Sequence, residues 1–206
     1  MPTLDEAVDA TRTGDVWLFR GSSTADRVIR TTTNSPVNHV GMAVVLEDLP
    51  PLMWHAELGQ SLPDLWAGKH HRGVQLHDLR DAVLVWGHRY GQQAWLRQLH
   101  GDVTPAMEGG VLRMIARLDG TPFPSTAGLA ASWLRGRLPG GDGRHAAVET
   151  AYCAEVLART YQSMGLLPAD RKASYYDPGS FWSGDDLQLE GAFTLGPEVS
   201  VDLPAP

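Results

Sequence analysis

Apolar residues in this chain come in short runs separated by turn chemistry, and the runs alternate between strand and helix character. Gly14-Asp15 is a turn signal, and Val16-Trp17-Leu18-Phe19-Arg20 after it is a strand-type run. Residues 38–46 form a second strand, rich in branched side chains and buried on at least one face, with His39 at its entrance. Glu47-Asp48-Leu49-Pro50-Pro51 turns the chain into a strand over 52–58, so the two read as a hairpin. Alternation there puts Met53, His55 and Glu57 on one face, with Trp54 and Ala56 on the other. Val74-Gln75-Leu76 is a further short strand, and residues 82–89, carrying Trp86, read as another.

Helical spacing appears elsewhere. Residues 4–12 predict a short helix ending before Gly14, and 22–30 predict about two turns behind Ser/Thr caps. Residues 31–36 read as a loop. The patterns over 92–100 and 105–118 are helical, the second with Thr104 as cap and Pro105 in its first turn. Gly120-Thr121-Pro122-Phe123-Pro124 ends it, and 127–138 predicts another helix. A glycine-rich loop, 139–144, precedes Thr150-Ala151-Tyr152-Cys153-Ala154-Glu155, which reads as the first turns of a helix running to a stop at Gly165. The remainder is turn-rich, with short strand-like pieces and a proline-containing tail. No repeat, low-complexity tract or long linker divides residues 1–206, so a single α+β domain is expected.

Composition narrows the function classes. The 206 residues are 43% hydrophobic, enough for a packed core. A net charge of −7 offers no electrostatic footprint for nucleic acid or an anionic membrane. No apolar run approaches the roughly 20 residues of a spanning helix. The acidic start, Met1 to Asp9, lacks the basic segment and apolar run of a signal peptide. A cytoplasmic location is the expectation.

The single cysteine, Cys153, cannot form an internal disulfide. At a helix start, the free N–H groups and the dipole favour the thiolate, the nucleophilic form. A thiol becomes an efficient nucleophile when an imidazole takes its proton and a third polar group orients that imidazole. His39 is the candidate base. His55, on the neighbouring strand of the hairpin, lies within ring reach because strands run about 4.8 Å apart.

These pieces resemble a known family. Gly14-Asp15-Val16, Asn38-His39-Val40-Gly41-Met42-Ala43, Trp54-His55-Ala56 and Tyr152-Cys153-Ala154-Glu155-Val156 follow, in order, the pattern of the circularly permuted papain-like hydrolases. This is the branch of the NlpC-type superfamily that includes the YiiX-like bacterial proteins and the lecithin:retinol acyltransferase relatives. The tail from Met164-Gly165-Leu166-Leu167 to Asp177-Pro178-Gly179-Ser180-Phe181 is also similar. The resemblance implies a permuted papain-like fold, an antiparallel sheet packed against helices including the nucleophile helix. It implies Cys153 as nucleophile and His39 as general base. At the third position many YiiX-like members carry Glu, whereas His55-Ala56 here looks like the acyltransferase relatives, with Glu57 on the same strand face as the competitor. The Cys153 N–H and a neighbour would supply the oxyanion donors. The implied activity is hydrolysis or acyl transfer at an amide or ester bond, through a thioester, on a small-molecule, peptide or lipid-like acyl substrate. No cofactor is called for.

Other polar residues read as structural. Glu155 suits the first turn of the cysteine helix. His70, His71, His77, His88, His100 and His145 read as surface or loop residues. His70, His71 and His77 invite a metal, but there is no His-Glu-x-x-His and no second cysteine. Of the seven tryptophans, Trp17, Trp54 and Trp86 read as core, and Trp133 and Trp182 as candidates for a substrate wall. Two rival readings stay open: a non-catalytic binding module that retains the fold, and a metalloenzyme built on the histidines.

Overall fold

The computed structural model describes residues 1–21, 35–122 and 143–205, without the side chains of 143–151 and 185. Its elements run α1 (Leu4–Ala10), β1 (Val16–Arg20), β2 (His39–Val44), β3 (Leu52–Glu57), β4 (Gly73–Asp78), α2 (Leu79–Tyr90), β5 (Gln93–Arg97), β6 (Leu99–His100), α3 (Pro105–Leu118), α4 (Gly143–Met164), β7 (Thr194–Leu195) and β8 (Val199–Ser200). Six strands form an antiparallel sheet in the order β4-β3-β2-β1-β5-β8, and β6 pairs with β7 in a small second sheet.

Strand alternation divides the core between the two faces of the large sheet. Val16, Leu18, Val40, Met42, Trp54, Ala56, Val74 and Leu76 pack with the apolar side of α4. Trp17, Phe19, Ala43 and Met53 point the other way, against Leu4 and Val8 of α1 and Leu79, Val83 and Trp86 of α2. Cover on both faces explains why β1 and β2 read as nearly unbroken apolar runs. Polar contacts fix α4 against the sheet. The indole N–H of Trp54 donates to Thr160 Oγ1 at 3.0 Å, and the Thr160 hydroxyl donates to Val156 O at 2.8 Å. The Tyr161 hydroxyl donates to Gly14 O at 2.6 Å, at the entrance to β1. The helix α3 crosses α4 at Gly110, whose carbonyl accepts from Ser163 Oγ at 3.0 Å.

The first three strands, α1 and α3 lie where the pattern places them, within one or two residues at their ends. Three expectations are corrected. Residues 82–89, read as a strand, belong to α2. Its run of Val, Leu and Trp has strand propensity. Asp78 caps the first turn by accepting from Asp81 N, however, and Gly91 closes the last one at φ 61°. Residues 92–100, read as helical, are β5 and β6, with Ala94 and Leu96 buried on one strand face. The cysteine helix starts at Gly143, ten residues before Cys153, where Arg144, Ala146, Ala147 and Glu149 supply the helix formers that extend it backwards. The helices expected over 127–138 and 22–30, Trp133, and most of the loops expected over 31–36 and 139–144 lie outside the described residues.

Candidate functional site

On β2, β3 and β4, alternate side chains point toward α2. His39 pairs across the sheet with Phe19, and His55 pairs with Gln75, while His77 sits beside Met53. Gly41 makes room in this layer: a Cβ there would collide with Met53 Sδ and lie 3.3 Å from His55 Cβ. The glycine of His39-Val40-Gly41 therefore leaves room for Met53 and His55 beneath α2.

Three imidazoles cross the sheet in a row. His39 Nε2 and His55 Nδ1 are 3.2 Å apart, and His55 Nε2 and His77 Nδ1 are 3.0 Å apart. The ring centroids, 5.3 Å and 4.9 Å apart, match the strand spacing, so one imidazole per strand suffices to make a continuous chain. Trp86 of α2 packs edge-on against both His39 and His55. His77 Nε2 closes the far end at 3.2 Å from Gln75 Oε1.

This last contact sets the direction of every proton in the row. Gln75 Nε2 donates to the His71 carbonyl at 2.7 Å, so the amide oxygen is the atom turned to His77. An oxygen only accepts, so His77 Nε2 carries its proton and Nδ1 its lone pair. His55 then donates from Nε2 and accepts at Nδ1, and His39 donates from Nε2. The lone pair of His39 is left on Nδ1, at the end of the row that keeps some exposure, 6% against zero for the other two.

Neutral rings are required for this pattern, and burial supplies them. Desolvation, assisted by the charge of His77, holds His39 down to about 3. Burial likewise lowers His55 well below the ordinary imidazole value. It takes His77 to about 4 against the opposing pull of Asp64. Glu57 lies on the same face but serves other partners. It accepts from Ser61 Oγ at 2.6 Å and from the Trp86 indole N–H at 3.2 Å, and burial pushes its carboxyl up.

The sequence-predicted residues thus separate into two places. His39 and His55 are brought into hydrogen-bond contact. Cys153 is fully buried in the middle of α4, within the apolar cluster that holds Val40, Trp54 and Ala56, on the face of the sheet away from the imidazoles. The helix-start argument for its thiolate does not apply there, because dipole effects fade beyond the first turn.

His77 is corrected from a surface or loop residue to a fully buried strand residue, and Gln75 joins it as an unforeseen member of the row. Continuing the alternation of Val74-Gln75-Leu76 by one residue would have placed both on the face of His55. His70, His88 and His100 are exposed, as expected. Trp182 is half-buried, in edge contact with Trp95 and over the Arg20 guanidinium.

No protein-family model matches the chain, and no curated protein matches it. Among solved structures, it is similar to the crystal structure of the metalloprotein YiiX from Escherichia coli O157:H7, with 16% identity and a TM-score of 0.47 over 95% of this chain and 99% of that one.

Proposed function

We propose that the chain is a cysteine-dependent hydrolase or acyl transferase acting on an amide or ester bond, with Cys153 as nucleophile, His39 as base and His55 as the group that orients the base. The observation that supports this reading is the buried row itself, with His39 Nε2 3.2 Å from His55 Nδ1, which leaves His39 Nδ1 as the acceptor when Gln75 polarises the row. A neutral imidazole with its acceptor nitrogen at the open end of a buried row can take a proton from the thiol when the charge formed beside it offsets the burial that holds His39 to about 3. The resemblance at Tyr152-Cys153-Ala154-Glu155 supplies the thiol.

The reaction requires Cys153 to leave its packing against Val40, Trp54 and Ala56 and reach the imidazole face of the sheet; there His39 Nδ1 takes the thiol proton and the sulfur attacks the acyl carbon. The C–N or C–O bond breaks, and the leaving group departs with the proton from His39. Water, or an acceptor amine or alcohol, then gives its proton to His39 and displaces the thioester. The substrate is a peptide or a lipid-like acyl compound.

A second reading, a non-catalytic binding module that retains the fold, is favoured by one observation: Cys153 has no exposed surface. Alkylation separates the two. A nucleophile labels at neutral pH in the folded protein, and His39→Ala slows the labelling at least tenfold. A structural thiol labels only in denaturant, at a rate indifferent to His39→Ala, and that result would remove the enzyme reading. Turnover of amide and ester libraries, with Cys153→Ala as control, then identifies the bond.

A further inference from the structure

His55, Glu57 and His77 each offer one donor atom, and the donors lie within 4.8 Å of one another on the buried face of β3 and β4. Two neutral imidazoles and a carboxylate are a donor set that zinc takes while keeping a fourth position open. The outer nitrogens of both histidines are already held, His77 Nε2 by Gln75 Oε1 and His55 Nδ1 by His39 Nε2, each at 3.2 Å. Histidine ligands of metals are oriented by such contacts on the nitrogen away from the ion. The inner nitrogens, His55 Nε2 and His77 Nδ1, face each other at 3.0 Å. Tetrahedral bonds of about 2.0–2.1 Å put donors roughly 3.3 Å apart, so the two rings need to part only slightly. Glu57 must swing inward from Ser61 and Trp86. It forms no ion pair among the described residues, so a cation would give this buried carboxylate the positive partner its protein contacts do not supply.

We propose that His55, Glu57 and His77 bind one divalent cation of the zinc type in place of the proton between the two imidazoles, and that its binding reverses the tautomer of His39. The site stands on geometry alone; the consequence for catalysis rests on His39 being the base.

The proton balance is closed. Before binding, His77, His55 and His39 each carry a proton on Nε2. With the ion on His55 Nε2 and His77 Nδ1, His77 keeps its proton toward Gln75. The Nε2 proton of His55 leaves to solvent, and its Nδ1 takes the proton that His39 held on Nε2. His39 regains one from solvent on Nδ1. The three rings stay neutral, and any proton on Glu57 is released. The outward nitrogen of His39 changes from acceptor to donor, so the metal-loaded protein has no base to offer at that atom.

Zinc and cobalt(II) titrations of chelator-treated protein test the site. One equivalent should bind, and the cobalt form should show the intense visible bands of four-coordination. Glu57→Gln and His77→Gln should each weaken binding tenfold or more, while the double variant His70→Ala/His71→Ala should bind as the wild type does. No uptake, or uptake that falls with His70 and His71 but not with Glu57 and His77, would overturn the proposal. Circular dichroism shows whether the buried variants are folded. Wild-type 15N-histidine spectra need no variant: zinc should convert His39 from the Nε2–H to the Nδ1–H form, and an unchanged His39 at saturation would overturn the reversal. Neither readout depends on Cys153. A protein that binds zinc but never turns over an acyl substrate loses only the proposed function.

Discussion

At the scale of single residues, the candidate base owes its state to a side chain two imidazoles away. Gln75 is fully buried and is the sole member of the row whose donor and acceptor ends cannot exchange roles, since its amide nitrogen is committed to the His71 carbonyl. Gln75→Leu removes the side-chain acceptor of the His77 Nε2–H, at a cost of about 1–3 kcal/mol. It also frees the row to run in either direction. Gln75→Glu keeps an acceptor and adds a charge that favours protonated His77. His39 in the Leu variant should therefore show a mixture of Nδ1–H and Nε2–H forms by 15N spectroscopy, while the Glu variant, by charging His77 so that it donates from both nitrogens, should shift His39 toward the Nδ1–H form. A single unchanged tautomer in the Leu variant would show that polarity is set elsewhere. His39 and His55 were legible in the sequence because two strands in a tight hairpin, each with a histidine on a known face, must bring the rings close. His77 was not, because the apolar alternation of Val74-Gln75-Leu76 is only three residues long and His77-Asp78 reads as its polar end.

At the scale of elements, legibility followed the strength of local signals. Strands β1 to β3 and helices α1 and α3 carry unbroken periodicity and end at glycine, proline or a capping threonine, as in the Thr3/Glu6 capping box of α1. The run Ala82-Val83-Leu84-Val85-Trp86 carries strand propensity, and only its ends mark it as a helix. Two substitutions test whether those ends decide the matter. Asp78→Ala removes the oxygen that accepts from Asp81 N at 2.9 Å and should cost about 1 kcal/mol. Gly91→Ala forces a Cβ into the left-handed conformation at φ 61° and should cost roughly 1–2 kcal/mol. Urea melts should register both, with Trp86 fluorescence following because α2 holds that indole over the imidazoles. A third device, Asp15, shows how a turn residue can serve the whole sheet. Its carboxylate accepts from Arg12 N at 2.9 Å and from Leu99 N at 2.8 Å, tying the entrance of β1 to β6. Asp15→Ala strands both donors and should cost more than the helix caps, about 2–3 kcal/mol.

At the scale of the whole molecule, the sheet is covered on both faces, and the titratable row lies in the layer beneath α2. Acid should therefore act on the fold through that layer. In the folded protein His39 is held to about 3 and His77 to about 4, against roughly 6.5 in an unfolded chain. Between those values the unfolded state binds protons that the folded state does not. The histidines thus leave stability highest above about pH 6.5 and subtract from it as pH falls toward 4 and then 3. Buried carboxylates oppose them. Glu57 and Asp15 are raised by burial and Asp119 is raised to about 6, so each favours the fold as it takes up a proton in acid. Total stability mixes the two signs, and only a difference isolates the row. His77→Gln removes one imidazole and keeps a donor for Gln75. In chelator, to exclude metal, the urea stability of the wild type relative to this variant should decline between pH 7 and pH 5 by about 1–2 kcal/mol. Parallel curves would mean that His77 titrates in the fold as it does in water, and a charged His77 would donate from both nitrogens. His55 would then have to accept from it at Nε2, and the lone pair assigned to His39 Nδ1 would lose the chain of donors that places it there.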